Sequence, residues 1–131
     1  MLNGSCHCGA VQWQFKKPVE FATACNCTIC RRYGALWAYD FEAEGITLEG
    51  LTQHYVRPGR DGIGFHFCVQ CGCVVGWRAL HPEADGRRRI AVNLRTAEPE
   101  AVVDLPMKRF NGLGGGEQLP SDNHHVADVW F

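Results

Sequence analysis

The residues in this sequence best suited to chemistry are eight cysteines, which fall in three clusters. The clusters read C-x-C at Cys6–Cys8, C-x-C-x-x-C at Cys25–Cys30 and C-x-x-C-G-C at Cys68–Cys73. Residues two apart on an extended segment face the same side, so a C-x-C pair presents two sulfurs together. A C-x-x-C-G turn does the same by folding the chain tightly, because its glycine tolerates positive φ. Paired thiolates of this kind are typical ligands of tetrahedral zinc.

The spacing predicts two zinc sites of different kinds. The simplest division makes a closed site from four thiolates: Cys6, Cys8, Cys68 and Cys71. A second site then has three thiolates and an open fourth position: Cys25, Cys27 and Cys30. Four protein ligands are typical of structural zinc, and three ligands with an open position are typical of catalytic zinc. Spacing alone leaves a four-plus-four division open, in which Cys73 closes the second site.

We expect zinc in preference to the two other uses of clustered cysteines, a disulfide framework and an iron–sulfur cluster, which would need four ligands in a suitable arrangement. Residues 1–5 have neither a basic nor an apolar signal region, so we expect a cytoplasmic protein with reduced thiols. No stretch approaches the ~18 apolar residues of a membrane helix. The formal net charge of -1 argues against a nucleic-acid partner. We therefore expect small-molecule partners and no membrane or nucleic-acid partner.

Short strands must position these clusters. Val11, Trp13 and Phe15 alternate with polar residues, which predicts a half-buried strand. Other strands are predicted at 21–27, 36–41, 46–48, 54–56, 63–68, 74–80 and 89–94. The pair 63–68 and 74–80 forms a hairpin around the third cluster, and a helical turn ends at Gly34. The pattern predicts one all-β domain over residues 1–131, with the apolar tail 126–131 docked on a sheet.

The ordered cysteine motifs resemble those of the glutathione-dependent formaldehyde-activating enzymes, a family that includes the centromere protein V-like proteins. The opening G-x-C-x-C-G-x-V is similar to residues 4–11, and C-x-C-S-x-C-R is similar to residues 25–32. The third motif returns at 67–72, with weaker likeness at 92–96 and 109–112. Two positions depart from the family pattern: Cys73 replaces a small hydroxyl residue, and Asn111 stands where Asp is common.

The resemblance implies a tent-like fold of small antiparallel sheets held by zinc. It implies a structural zinc on the residues matching the closed set, and a catalytic-type zinc on Cys25, Cys27 and Cys30. It also implies a carbon–sulfur lyase that joins formaldehyde to glutathione, giving S-hydroxymethylglutathione. The alternative, from a different class of function, is a non-catalytic binding module whose fold is held together by zinc.

The chemistry expected at the second site is attack of a zinc-bound thiolate, from glutathione or a similar thiol, on the carbon of a small aldehyde. Zinc could instead polarise the aldehyde oxygen, and the sequence does not choose between these roles. Four histidines are candidate proton donors, although a structural role is the commoner one for each: His54, His66, His124 and His125. Arg31 and Arg32 could meet a substrate carboxylate. Three aromatic residues could line a pocket: Trp37, Tyr39 and Phe41.

Overall fold

A computed structural model describes residues 1–130 of the chain. Within that range the strands are β1 (Leu2–Ser5), β2 (Gln12–Phe15), β3 (Ala22–Cys25), β4 (Trp37–Phe41), β5 (Ile46–Glu49), β6 (Thr52–Arg57), β7 (Arg60–Cys68), β8 (Val74–Ala79), β9 (Arg89–Asn93) and β10 (Met107–Phe110). Helical structure in residues 1–130 is limited to α1 (Cys30–Tyr33), α2 (Pro99–Val102) and the 3-10 turns Leu94–Thr96 and Val126–Val129. The all-β prediction is confirmed.

The strands form two sheets, one of three strands in the order β1-β2-β5 and one of seven in the order β10-β3-β4-β9-β8-β7-β6. In β2, Trp13 and Phe15 are buried while the intervening glutamines are exposed, as the alternation predicted. The main core lies on this inward face and includes the fully buried Ile46, Ile90 and Leu94. Most pairings are antiparallel, but β10 runs parallel to β3.

The hairpin of β7 and β8 is present, and its connection carries the third cysteine cluster. The turn is closed by two backbone hydrogen bonds: Gly72 donates to the Cys68 carbonyl (2.9 Å) and Cys68 donates to the Cys73 carbonyl (3.0 Å). Gly72 has a φ of 78°, which glycine adopts without strain. This local geometry brings Cys68 and Cys71 to one side of the turn.

The second cysteine cluster bridges the end of β3 and the start of α1. Cys25 is the last residue of β3 and Cys30 the first of α1. The helix ends at Gly34, whose φ of 62° is the left-handed conformation expected of a C-terminal cap. One tight loop and one helical turn therefore carry all three sulfurs.

The C-terminal segment packs against the main core, as predicted. Val126 is fully buried and Trp130 packs beside it. Arg95 holds this segment by donating to the carbonyl of Val129 at 2.9 Å. Phe131, the last residue of the predicted apolar tail, lies outside the described residues. Among residues 1–130, no helix has the length and apolar character needed to cross a bilayer.

Candidate functional site

The structure gathers seven of the eight cysteines into two sets, and all eight are free thiols. The first set contains Cys6, Cys8, Cys68 and Cys71. The second set contains Cys25, Cys27 and Cys30. In each set the sulfur atoms lie within 4.8 Å of one another, so each set can bind a metal ion. The sets match the simplest division drawn from the spacing.

The first set lies against the main core. Cys6 and Cys68 are buried among its apolar side chains, while Cys8 is exposed. The Sγ of Cys8 is 3.6 Å from the Sγ atoms of both Cys6 and Cys68. Four sulfurs placed tetrahedrally at ~2.3 Å from one ion would lie about 3.8 Å apart, so the donor set fits zinc.

Backbone N–H groups point at the sulfurs of the first set. Val11 donates to Cys6 Sγ at 3.3 Å, and Gln70 donates to Cys68 Sγ at 3.4 Å. The backbone N–H groups of Cys73 and Cys8, in that order of effect, lower the pKa of the Cys71 thiol to about 5. These donors favour the thiolate form, which is the form that binds metal.

Cys73 lies beside the first set and not among the sulfurs of the second. Its side chain packs against the main core together with Cys71. The N–H of His7 has the largest single influence on its thiol and lowers the pKa. Burial and the neighbouring Cys71 outweigh that influence, so the pKa is raised overall. This position makes the alternative division, in which Cys73 closes the second set, geometrically unfavourable.

The second set is held by its own backbone and by one aromatic side chain. Cys30 N–H donates to Cys27 Sγ at 3.3 Å, and the indole N–H of Trp37 donates to Cys30 Sγ at 3.3 Å. A hydrogen bond from the Cys30 thiol, followed by the N–H of Cys27, lowers the pKa of the Cys25 thiol to about 5. The hydrogen bond with Cys25, followed by burial, raises the pKa of the Cys30 thiol. Binding of a metal ion would require both thiols to lose their protons.

A glycine loop covers the second set from the other side. A Cβ added at Gly112 would lie 2.6 Å from Cys25 Sγ and 3.0 Å from Cys27 Cβ, so only glycine fits there. Asn111 fixes the loop, because its side-chain oxygen accepts from Asn26 at 2.9 Å. Asn26 in turn accepts from the N–H of Leu113 at 2.9 Å. The weak motif at 109–112 in the sequence therefore corresponds to a contact with the cysteine set.

The second set opens into a cavity of about 400 Å³, which we call the thiolate cavity. Its walls are mainly aromatic: Trp37, Tyr39, Phe65, Trp77 and Phe110. The rest of its lining comprises Ile63, two arginines and four glycines: Arg57, Arg60, Gly112, Gly114, Gly115 and Gly116. A neighbouring groove of about 610 Å³ shares Cys27, Gly112 and both arginines, and we call it the arginine groove. The three sulfurs thus face a space large enough for a small molecule.

Only some of the other predicted site residues line the thiolate cavity or the arginine groove. Trp37 and Tyr39 line the thiolate cavity, but Phe41 stacks under Arg87 instead, with the guanidinium carbon 3.8 Å from the ring centroid. Arg32 lines the arginine groove, whereas Arg31 is exposed and does not contribute to its lining.

The candidate histidines lie away from the cavity lining. His54 and His66 stack on each other with ring centroids 5.1 Å apart, and His66 Nδ1 bonds the Thr52 hydroxyl at 2.8 Å. His124 pairs with Asp122 at 3.0 Å, and His125 caps the last 3-10 turn.

Sequence reasoning missed the arginines and the role open to Tyr39. Tyr39 lines the cavity, and burial raises the pKa of its hydroxyl to about 12, against the lowering effect of a hydrogen bond with Thr23. A tyrosine hydroxyl is protonated at neutral pH, so it can donate a hydrogen bond. Arg57 and Arg60 gave no sequence signal beyond flanking the Pro58-Gly59 turn.

The chain is similar to known proteins in sequence and in fold. The family model described as glutathione-dependent formaldehyde-activating enzyme matches residues 1–108. A Halomonas elongata protein, provisionally named a glutathione-dependent formaldehyde-activating enzyme, is 30% identical over 81 residues, which cover 54% of this chain. The match spans about half of that relative, 52% of its length.

The fold also has a counterpart among solved structures. A crystal structure of a Rhodobacter sphaeroides protein superimposes with a TM-score of 0.59 at 23% identity, covering 81% of this chain and 99% of the other. At that identity the likeness concerns the fold alone. The match over residues 1–108 shows that the chain belongs to the glutathione-dependent formaldehyde-activating enzyme family.

Proposed function

We propose that this protein is a zinc-dependent carbon–sulfur lyase that adds a thiol, with glutathione as the first candidate, to formaldehyde or another small aldehyde. The observation that carries the proposal is the contrast in setting between the two cysteine sets. The three cysteines of the second set line a cavity of about 400 Å³, whereas no cysteine of the first set contributes to its lining. Family membership and the name of the Halomonas elongata relative support the choice of reactants.

The donor chemistry supports zinc in both sets. Every candidate ligand is a thiol, and soft thiolates select zinc over calcium or magnesium. A zinc ion on Cys25, Cys27 and Cys30 would supply an open position that lowers the pKa of an incoming thiol and holds it as thiolate.

The residues around the second set would favour the addition in three ways. Trp37 donates to Cys30 Sγ and so fixes the orientation of that ligand. The aromatic walls would present apolar surface to reactants held beside the sulfurs. Holding thiol and aldehyde together there would make the encounter effectively intramolecular.

The proton balance of the reaction assigns a role to Tyr39. The thiolate forms a C–S bond to the aldehyde carbon as the C=O π bond breaks, and negative charge develops on the oxygen. The Tyr39 hydroxyl, which is protonated at neutral pH, would donate its proton to that oxygen, and the proton lost from the thiol would return to Tyr39 through solvent. The sum is thiol plus aldehyde giving the hemithioacetal.

Acceleration of adduct formation tests this proposal. The zinc-loaded protein would be added to glutathione and ¹³C-formaldehyde, and the exchange rate between free reactants and adduct would be measured by NMR. We expect faster exchange than in the protein-free mixture, and no acceleration with Cys27→Ala, which lacks one sulfur of the second set. A wild-type protein carrying two zinc ions that leaves the exchange rate unchanged would refute the proposal and favour the non-catalytic binding module.

A further inference from the structure

Two arginines face the same space as the second cysteine set. Arg57 ends β6 and Arg60 begins β7, and the two are paired across a tight turn. Both line the thiolate cavity and the arginine groove, where the two spaces meet beside Cys27. Among the ion pairs of residues 1–130, neither arginine has a carboxylate partner.

Arg57 is the more unusual of the two. Its Nε is buried and has no hydrogen-bond partner within the described chain. Its guanidinium carbon lies 5.5 Å from the centroid of the Phe65 ring, which restrains the side chain beside the cavity. A buried donor without an acceptor is costly, and Arg57 lines both spaces, so a ligand that brings an acceptor to its guanidinium group would gain affinity.

The surroundings of the two arginines favour an anion. Among residues 1–130, no aspartate or glutamate lines the thiolate cavity or the arginine groove, and the other anionic groups there are the thiolates that would bind zinc. A third cation, Arg32, lines the groove and is held by donating to the Thr28 carbonyl at 2.6 Å. Guanidinium groups match carboxylates in shape and can bind them through two parallel hydrogen bonds.

We propose that Arg57, supported by Arg60, binds a carboxylate of the thiol substrate and so selects thiols that carry one. This inference rests on the proposed function, because it assumes that the second cysteine set receives a thiol. The carboxylate would lie at the junction of cavity and groove, with the sulfur directed to the cysteine set. Arg57 and Arg60 are then specificity residues for the same site.

Paired binding measurements test the proposal. Dissociation constants of the zinc-loaded protein would be measured by calorimetry for glutathione and for 2-mercaptoethanol, a thiol without a carboxylate. We expect Arg57→Gln to weaken glutathione binding by about tenfold and to leave 2-mercaptoethanol binding unchanged. Arg60→Gln should have a smaller effect in the same direction. Arg31→Gln is the matched control, since Arg31 is an exposed arginine outside the lining, and it should change neither value.

A ligand that cannot bind metal through a thiolate separates this inference from the proposed function. S-methylglutathione keeps both carboxylates, and we expect wild-type protein to bind it and Arg57→Gln to bind it about tenfold more weakly. Arg57-dependent binding without faster adduct formation would refute the function and keep the inference. Faster adduct formation, together with binding of glutathione and S-methylglutathione that Arg57→Gln does not weaken, would keep the proposed function and refute the inference. If Arg57→Gln does not fold, Arg60→Gln replaces it, and the binding of S-methylglutathione to the wild-type protein is measured at several salt concentrations. Wild-type binding that does not weaken with added salt overturns the inference.

Discussion

The two cysteine sets use the same ligand chemistry in opposite settings. The first joins Cys6 and Cys8, near the start of the chain, to Cys68 and Cys71 in the β7–β8 hairpin, and it packs against the main core. The second takes all its sulfurs from six consecutive residues, 25–30, and faces a cavity. We expect a set that links distant segments to hold the fold together, whereas a local set could lose its metal without separating any strands. Burial does not separate the two sets, because Cys27 and Cys30 are buried in a second apolar cluster while Cys8 is exposed. The sets differ in the sequence separation of their cysteines and in the cavity beside the second set.

The largest expected effect comes from breaking the first set. Cys71→Ala would remove one of four ligands linking two parts of the chain 60 residues apart. Zinc binding contributes about 10–16 kcal/mol in zinc-finger peptides, comparable to the entire stability of a domain. We expect insoluble or unfolded protein, measured by soluble yield and circular dichroism. A folded Cys71→Ala protein with its full metal content would contradict the structural role of this set.

The same change in the second set should leave the fold intact. We expect Cys27→Ala to remain soluble, with a cooperative melt, and to lose one zinc ion per chain by elemental analysis. The reason is that β3, α1 and the loop between them are also held by backbone hydrogen bonds. In one of these, the N–H of Arg31 donates to the Cys27 carbonyl at 3.3 Å. Unfolding of Cys27→Ala to the extent seen with Cys71→Ala would remove the distinction between the sets.

Much of this contrast could be predicted from the sequence, because metal-ligand spacing is local. C-x-C and C-x-x-C-G restrict the backbone within a few residues, so the two sets and the hairpin that carries Cys68 and Cys71 could be predicted. The alternation in β2 was equally clear. The pairing of β1 with β2 was not predicted, since β1 does not alternate strongly. The pairing of β10 with β3 was not predicted either, since the two strands are distant in sequence.

The cavity could not be predicted for the same reason. Its lining combines residues from β3, β4, β7, β8 and the loop after β10, and their convergence follows from sheet order. Arg57 and Arg60 reach the second set only because the β6–β7 turn lies next to it. Arg31 and Arg32, adjacent to Cys30 in sequence, appeared better placed, yet only Arg32 lines the groove. That the whole chain, 1–131, is one domain stays a prediction.

Gly112 allows the second set to be disturbed without removing a ligand. Gly112→Ala would place a Cβ 2.6 Å from Cys25 Sγ, closer than atoms can approach, so the sulfur or the loop must move. Changes next to metal ligands cost about 10–100-fold in metal affinity. We expect a loss near the lower end of that range for the more weakly held zinc, measured by chelator competition. Gly62→Ala is the matched control, because its Cβ would meet nothing within 4 Å, and equal effects of both substitutions would contradict this reading.

Tyr39 tests whether the second set differs from the first in chemistry as well as in stability. Tyr39→Phe keeps the ring in the cavity wall and removes the hydroxyl that would donate to the developing alkoxide. We expect both zinc ions to remain and the rate of adduct formation to fall by about 100-fold, at the lower end of general acid contributions. An unchanged rate in a fully metallated Tyr39→Phe protein would exclude the hydroxyl as proton donor and leave solvent in that role.

The smallest expected effect is also the one that separates the two possible divisions of the cysteines. Cys73 packs beside Cys71 and the main core, so Cys73→Ser should keep two zinc ions per chain and change the melting temperature little. Loss of one ion would mean that Cys73 reaches the second set and closes its fourth position. The cavity would then have no exchangeable site for a thiol, and the proposed addition could not occur there. Two ions in both wild type and Cys73→Ser would instead keep the second set as three thiolates facing the cavity, which is the arrangement that the addition requires.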